Sequence, residues 1–207
     1  MFNTKEKKER RLGVKLFLKP NRCLSPKCVS VRRPTRPGVH GKARRRVLSE
    51  FGQQLHEKQK FQFSYGLKEN QMKKIFIEAV KNPEVTGDMI VSLLERRLDN
   101  VVFRLGFTPS RSVARQAVSH GNILVNGKKV KSSSYRTKVG DVITVRNKAK
   151  DSLVFKDMPE TIKKLEHPVW LEVNPETGEG KVVSSPKDYE MPFDVNLVVD
   201  YYSKVVK

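Results

Sequence analysis

The chain has 207 residues, 37% of them hydrophobic, which is enough for one or two domains with cores of ordinary size. Forty-two Lys and Arg against 22 Asp and Glu leave a net charge of +20, which favours a polyanionic partner, because neutralised phosphates release counterions and the summed field speeds encounter; nucleic acid is the expected partner. No apolar run approaches the length of a membrane span and none follows the charged N-terminus as in a signal peptide, so a soluble, cytoplasmic protein without membrane contact is expected.

Residues 1–46 read as a basic arm. They combine Lys5, Lys7, Lys8, Arg10, Arg11, Arg32, Arg33, Arg36 and Arg44-Arg45-Arg46 with Pro20, Pro26, Pro34 and Pro37. Such a stretch is not expected to bury a core of its own, and order is expected when it meets RNA. Residues 47–90 form a helical region: the pattern turns helical at Ser49, runs through Phe51 and Leu55, and resumes through Met72, Ile75, Phe76, Ala79 and Val80. Asn82-Pro83 ends that helix, and Gly87-Asp88 marks a boundary.

Residues 91–155 read as a helix–hairpin unit. Ile90, Leu93, Leu94, Leu98, Val101 and Leu105 recur at helical spacing with Glu95, Arg96, Arg97, Asp99 and Arg104 between them, which predicts one amphipathic helix stopped by Gly106. Ser110 then caps a second helix, with Val113, Ala114, Ala117 and Val118 inward, Arg111 and Arg115 four apart, and Gly121 at its end. Ile123-Leu124-Val125, Asn126-Gly127 and Lys128-Lys129-Val130 form a strong hairpin signal, followed by a short strand at Val142–Val145. This arrangement puts Arg111, Arg115, Lys128, Lys129 and Lys131 on small rigid elements, suited to tracking a phosphate backbone.

Residues 156–207 form a tail. From residue 151 onward seven Lys and Arg face eleven Asp and Glu, whereas residues 1–60 carry eighteen against four. Val169–Val173 alternates like a strand or extended segment, Asn174–Gly178 is turn-rich, and Leu197–Tyr202 is apolar again, so the tail is expected to dock.

Motifs for catalysis are missing. Gly121–Lys128 has five residues between its glycines, and Lys129 stands where a phosphate-binding loop needs Ser or Thr for magnesium. His40, His56, His120 and His167 form no ligand or nucleophile pattern and are read as packing or RNA contacts. Asp99-Asn100 is read as orienting neighbouring helix or arginine groups, and no enzyme is expected. Cys23 and Cys28 have the spacing of half a zinc site, which makes them the candidate metal ligands, but no second pair exists and two reduced thiols without a cofactor are expected.

The runs LLERRLDNVVFRLGF, SRSVARQAVSHG and ILVNGKKV resemble the RNA-binding module named after the fourth protein of the small ribosomal subunit. Arg22-Cys23 to Pro26-Lys27-Cys28, Pro37-Gly38 with His40-Gly41, Glu57-Lys58-Gln59-Lys60, Tyr65-Gly66 and Pro168 with Trp170-Leu171 extend the resemblance to that ribosomal protein family, in its bacterial or organellar form. The resemblance implies an α+β chain: a helical N-terminal domain with a basic extended arm, joined by the returning tail 165–207, plus an RNA-binding module of two helices and a small antiparallel sheet. It further implies a structural constituent of the small subunit that binds small-subunit ribosomal RNA directly in the 5′ domain, nucleates assembly and contributes to translational accuracy. Neighbouring small-subunit proteins, chiefly the fifth, and mRNA where it enters the subunit are implied partners. A free RNA-binding or ribosome-rescue factor built on the same module is the alternative. Some relatives complete a zinc site with an earlier cysteine pair, where this chain has Glu6 and Glu9.

The candidate RNA contacts are Arg32, Arg33, Arg44, Arg45 and Arg46 in the arm, the last three near the implied mRNA channel. Lys58, Lys60 and Arg97 follow in the helices; Arg111, Ser112, Arg115, Gln116 and His120 lie on and just after the second helix of the module, and Asn126, Lys128, Lys129 and Lys131 on the hairpin.

Overall fold

A computed structural model describes residues 4–43, 47–150, 152–186 and 193–206. The chain divides into two compact units, residues 1–80 with 191–207 and residues 81–190. Among the described residues no helix is long and apolar enough to cross a membrane.

The first unit contains α1 (Thr4–Leu12), single turns α2 (Pro20–Cys23) and α3 (Val29–Arg32), a 3-10 turn at Val39–Lys42, and the longer α4 (Glu50–Ser64) and α5 (Glu69–Val80). The Ser49 hydroxyl starts α4 by accepting from the Gly52 amide at 3.2 Å, satisfying a donor the helix itself leaves open. Phe61, Tyr65, Met72, Ile75, Phe76 and Ala79 form the inner faces of the pair. The last helix, α11 (Val195–Val205), packs chiefly on α4 and also on α5 through Val198, Tyr201 and Tyr202. Tyr202 is fully buried, stacks on Phe76 at 5.3 Å between ring centroids, and donates its hydroxyl to Glu69 Oε1 at 3.0 Å. An aromatic this buried stabilises by about 1.5–3 kcal/mol, and the hydroxyl bond removes the cost of burying its polar tip.

The arm differs from its expected lack of a core. Leu12, Leu16, Cys23 and Cys28 are buried, and α1 contacts both α3 and α4. Glu9 organises the turn after α1: its Oε1 accepts from the Leu16 and Leu18 amides, each at 3.1 Å. Arg10 Nε donates to the Thr35 carbonyl at 3.0 Å. A few apolar side chains closed over a buried carboxylate therefore do what a large core would do elsewhere.

The second unit starts with α6 (Thr86–Glu95), α7 (Leu98–Arg104) and α8 (Arg111–Ser119). The sequence predicts one helix through Ile90 and Leu105; the structure has two, broken at Arg96 and Arg97. The cause is long-range. Leu98 N donates to the Tyr135 carbonyl at 2.8 Å, Thr137 N to the Arg96 carbonyl at 2.9 Å, and Arg97 bridges Arg136 in antiparallel fashion. These partners satisfy the backbone groups that the break exposes. Gly106 (φ +76°) and Gly121 (φ +70°) end α7 and α8 in left-handed turns, where Phe107 N reaches the Val102 carbonyl and Asn122 N the Ala117 carbonyl.

A five-stranded antiparallel sheet follows: β1 (Ile123–Val125), β2 (Lys128–Lys129), β3 (Val142–Val145), β4 (Leu171–Asn174) and β5 (Glu179–Val182), in the order β2-β1-β3-β5-β4. Single-turn α9 (Asn147–Lys150) and α10 (Met158–Lys164) lie between β3 and β4. Ile123, Val125, Ile143, Val145, Leu171 and Val182 join Leu98, Val101, Val102, Leu105, Ala114 and Val118 in one core. Gly180 sits opposite Ile143 and Val173 because a Cβ there would strike Leu105.

The expected tail 165–207 is thus divided. Its hairpin, β4–β5, extends the sheet by pairing β5 with β3, and only the helical part packs on α4. The apolar side chains on the inner edge, Trp170, Leu171 and Val182, find their complement in the sheet core.

Candidate nucleic-acid interface

The α8–hairpin face is built from local signals. Ser110 caps α8 by accepting from the Val113 amide at 3.4 Å, and Ala114, Ala117 and Val118 turn inward. Ser112, Gln116 and His120 are exposed by that geometry, and Arg111 and Arg115 are half-buried. Leu124 pairs with Lys129 and Val125 with Lys128, leaving a two-residue turn at Asn126 (φ +50°) and Gly127 (φ +75°), the conformation that Asn-Gly favours. Asn126 fixes this turn: its Nδ2 donates to Asp141 Oδ1 at 2.8 Å and its Oδ1 accepts from Val142 N at 2.9 Å. Asn126 therefore has a shaping role within the face. The hairpin and the helix meet where the Lys129 stem crosses Gly121, so closely that a Cβ at Gly121 would collide with it.

Arg111 is held in place from below. Its Nε donates to Asn100 Oδ1 at 2.7 Å, and its guanidinium lies 4.7 Å from the Phe103 ring centroid. Asn100 is itself fixed, with Nδ2 donating to Glu95 Oε2 at 2.8 Å and to the Glu95 carbonyl at 3.0 Å. Arg104 completes the network by donating to both Glu95 oxygens at 3.0 and 3.1 Å. Glu95 is 1% exposed, and this paired arginine makes its burial tolerable. Asp99 and Asn100, expected to orient arginines, do so; Glu95 and Phe103 were not anticipated. Glu95 lies inside a charged run whose spacing gives no sign that one carboxylate turns inward.

Three anticipated contacts are relocated by their partners. Arg97 is 5% exposed and forms a fork with Asp99 at 2.8 and 3.1 Å, so it stabilises the start of α7 instead of offering charge to a ligand. Lys58 is 6% exposed, bonds Glu69 Oε2 at 2.7 Å and lies 4.9 Å from the Tyr201 ring centroid; it fastens α11 to α4 and α5. Lys60 is paired with Glu57 and only partly accessible. Arg32 and Arg33 are exposed in the first unit, while Arg44, Arg45 and Arg46 lie outside the described residues. Lys128, Lys129 and Lys131 are exposed and, among the described residues, have no acidic partner.

Cys23 and Cys28 are both buried with free thiols. Burial raises the Cys23 pKa above its ordinary value, and the neighbouring Glu9 and Cys28 add to this, against a backbone hydrogen bond at Lys19. Of the four groups suggested by zinc-bearing relatives, the two carboxylates are already engaged. Glu9 Oε1 already serves two amides, Glu6 pairs with Arg22 at 3.0 Å, and Cys23 Sγ lies 3.9 Å from Glu9 Oε2. Among the described residues no group of three or more His, Cys, Asp or Glu could hold a metal ion.

Residues 2–95 match the family described as Ribosomal protein S4/S9 N-terminal domain, and residues 96–143 match the S4 domain. The chain is 49% identical over 197 residues to small ribosomal subunit protein uS4 of Halothermothrix orenii, and 48% identical over 197 residues to small ribosomal subunit protein uS4A of Clostridium novyi, with 94% of each chain covered in both cases. The chain belongs to the uS4 family of small ribosomal subunit proteins. In this uS4-family chain the S4 domain begins at the break between α6 and α7, so α6 falls in the N-terminal sequence match yet in the second structural unit. The β4–β5 hairpin lies beyond both matches. As a family member the chain is a ribosomal constituent with an RNA-binding S4 domain.

Proposed function

We propose that this chain binds small-subunit ribosomal RNA directly, in its 5′ domain, and helps nucleate assembly by fixing RNA geometry. The carrying observation is that Lys128, Lys129 and Lys131 stand unneutralised beside a helix whose Arg111 is pre-ordered by Asn100 and Phe103. The pre-ordered Arg111 meets phosphate without first being ordered, which lowers that part of the entropic cost of binding, and the lysines add open charge beside it. The role is structural, not catalytic, and is carried out in the cytoplasm on the ribosome. Contact with the fifth small-subunit protein, an influence on accuracy and an mRNA-facing role for Arg44–Arg46 belong to the same reading. Zinc has no part in this reading, since Glu9 Oε1 already serves two amides and Glu6 pairs with Arg22; metal analysis of the purified chain tests that point.

The test is binding of the full chain to a small-subunit 5′-domain transcript and to a large-subunit transcript across salt. With about 6–10 phosphate contacts, affinity for the first should fall about 10³–10⁵-fold between 50 and 200 mM salt, from a value well above that for the second. Equal affinity for both transcripts would favour a free RNA-binding factor, and a flat salt dependence would overturn the phosphate-based reading.

A further inference from the structure

The outer face of the sheet in the second unit carries charge that α8 and its hairpin do not account for. Strand register aligns Lys129, Leu124, Thr144 and Glu179 in one row across β2, β1, β3 and β5. Because side chains alternate along each strand, Leu124 and Thr144 face away from the buried Ile123, Val125, Ile143 and Val145. Against this row lies a solvent-open cleft of about 290 Å³, lined by Leu124, Thr144, Arg146, Lys148, Lys150 and Thr177, with Glu179 also on its wall.

Three cations and one carboxylate share this cleft, and the cations remain unneutralised. Among the described residues, the side chains of Arg146, Lys148 and Lys150 form no ion pair or hydrogen bond, Glu179 included. The arginines packed around α7 behave otherwise: Arg97 and Arg104 are each taken up by a carboxylate. Neighbouring cations repel, and a concave wall concentrates their field, so an anion entering the cleft relieves repulsion as well as gaining attraction. Arg146 supplies a planar fork suited to phosphate, and Thr144 and Thr177 supply neutral hydroxyl donors. The row from Lys129 to Glu179 covers three strand spacings, about 14 Å, so a single RNA strand can span the hairpin and the cleft together.

We propose that this cleft binds a backbone phosphate of RNA, making the outer sheet face a second contact surface beside α8 and the hairpin. Its basic residues, Arg146, Lys148 and Lys150, lie beyond the matched S4 domain. The proposal rests on the reading that the chain binds ribosomal RNA, and the test separates the two.

The full chain is titrated with the 5′-domain transcript over a salt series as four proteins: wild type, Arg146→Gln/Lys148→Gln/Lys150→Gln, Lys128→Gln/Lys129→Gln, and a control in and just before α10, the α10 control, Lys156→Gln/Lys163→Gln/Lys164→Gln. The cleft variant should bind at least about tenfold more weakly and flatten the log–log salt slope by about 1, for the lost phosphate contact, while the α10 control moves little. The cleft proposal is overturned if its variant changes no more than the α10 control while the hairpin variant weakens binding. If the hairpin variant also matches the control, the ribosomal RNA reading falls with it. Circular dichroism checks folding. If the triple variant does not fold, Lys148→Gln/Lys150→Gln, confined to exposed side chains, is judged by the same comparison with a slope change of up to about 1.

Discussion

Each unit fastens some of its cations into the fold and leaves others open, and the two differ in which. In the first, four of the described cations are paired with acids, Lys58 with Glu69, Arg22 with Glu6, Lys60 with Glu57, and Lys204 of α11 with Glu50 of α4, while Arg32 and Arg33 stay exposed. In the second, Arg97 and Arg104 near α7 and Lys164 of α10 are paired with acids, and the lysines of the hairpin and the cleft face solvent without acids among the described residues. Counting basic residues therefore overstates the binding surface of the first unit. What separates a structural cation from a binding one is the presence of a fixed acid partner, because a buried pair cannot be given up to a ligand without exposing two desolvated charges.

Removing the acid that holds the second unit's network should have the largest effect. Glu95→Ala leaves Arg104 and Asn100 without their shared acceptor, and a loss of about 3–5 kcal/mol is expected from breaking a buried pair. Urea unfolding of the full chain measures this, and a change under 1 kcal/mol would show that solvent replaces Glu95 at little cost.

Lys58→Met tests the contrast directly. Glu69 is partly exposed, so a smaller loss, about 1–2 kcal/mol, is expected, with RNA affinity nearly unchanged at a temperature where the variant is folded. Weakened RNA binding with unaltered stability would return Lys58 to the binding surface.

Arg111→Lys sharpens the meaning of a positioned cation. Lysine keeps the charge but loses the planar group that bonds Asn100 and stacks on Phe103. RNA affinity should drop by about 1 kcal/mol, with a similar or smaller stability loss; binding equal to wild type would mean that charge alone matters there.

The smallest effect is a pH dependence in the first unit. Burial holds His56 below its ordinary value of 6.5, with Arg36, Arg11 and Lys60 adding to it and Glu57 opposing. The folded state thus binds this proton more weakly than the unfolded chain, so its stability is complete above the ordinary value and declines as pH falls toward the folded value. The wild-type melting temperature should fall more steeply than that of His56→Gln between about pH 7 and pH 5. Parallel profiles would remove His56 as the cause.

Local chemistry made much of this molecule legible from its residues. The Ser49 and Ser110 caps, the Asn126-Gly127 turn, the glycine stops at Gly106 and Gly121 and the apolar inner face of α8 all depend on neighbours within a few positions. Those same signals locate the α8–hairpin face, and the family pattern accounts for the α+β plan. The break at Arg96-Arg97 is different, because residues about forty positions onward supply its hydrogen bonds. The inward turn of Glu95 and Lys58 was equally hidden, since helical spacing says which side chains share a face but not which charge will meet a partner across the core.

Residue order alone was enough for α8, for the β1–β2 hairpin with its register and for the excess of positive charge, since each follows from short-range stereochemistry or composition. Long-range packing, by contrast, sends α11 to α4 and the β4–β5 hairpin to β3, and brings Arg146, Lys148 and Lys150 together beside Leu124. These juxtapositions arise from burying apolar faces that many partners could satisfy equally well on paper. The choice among partners is made by the packing of the whole unit, and the charges on the outer face are carried to their places by that choice.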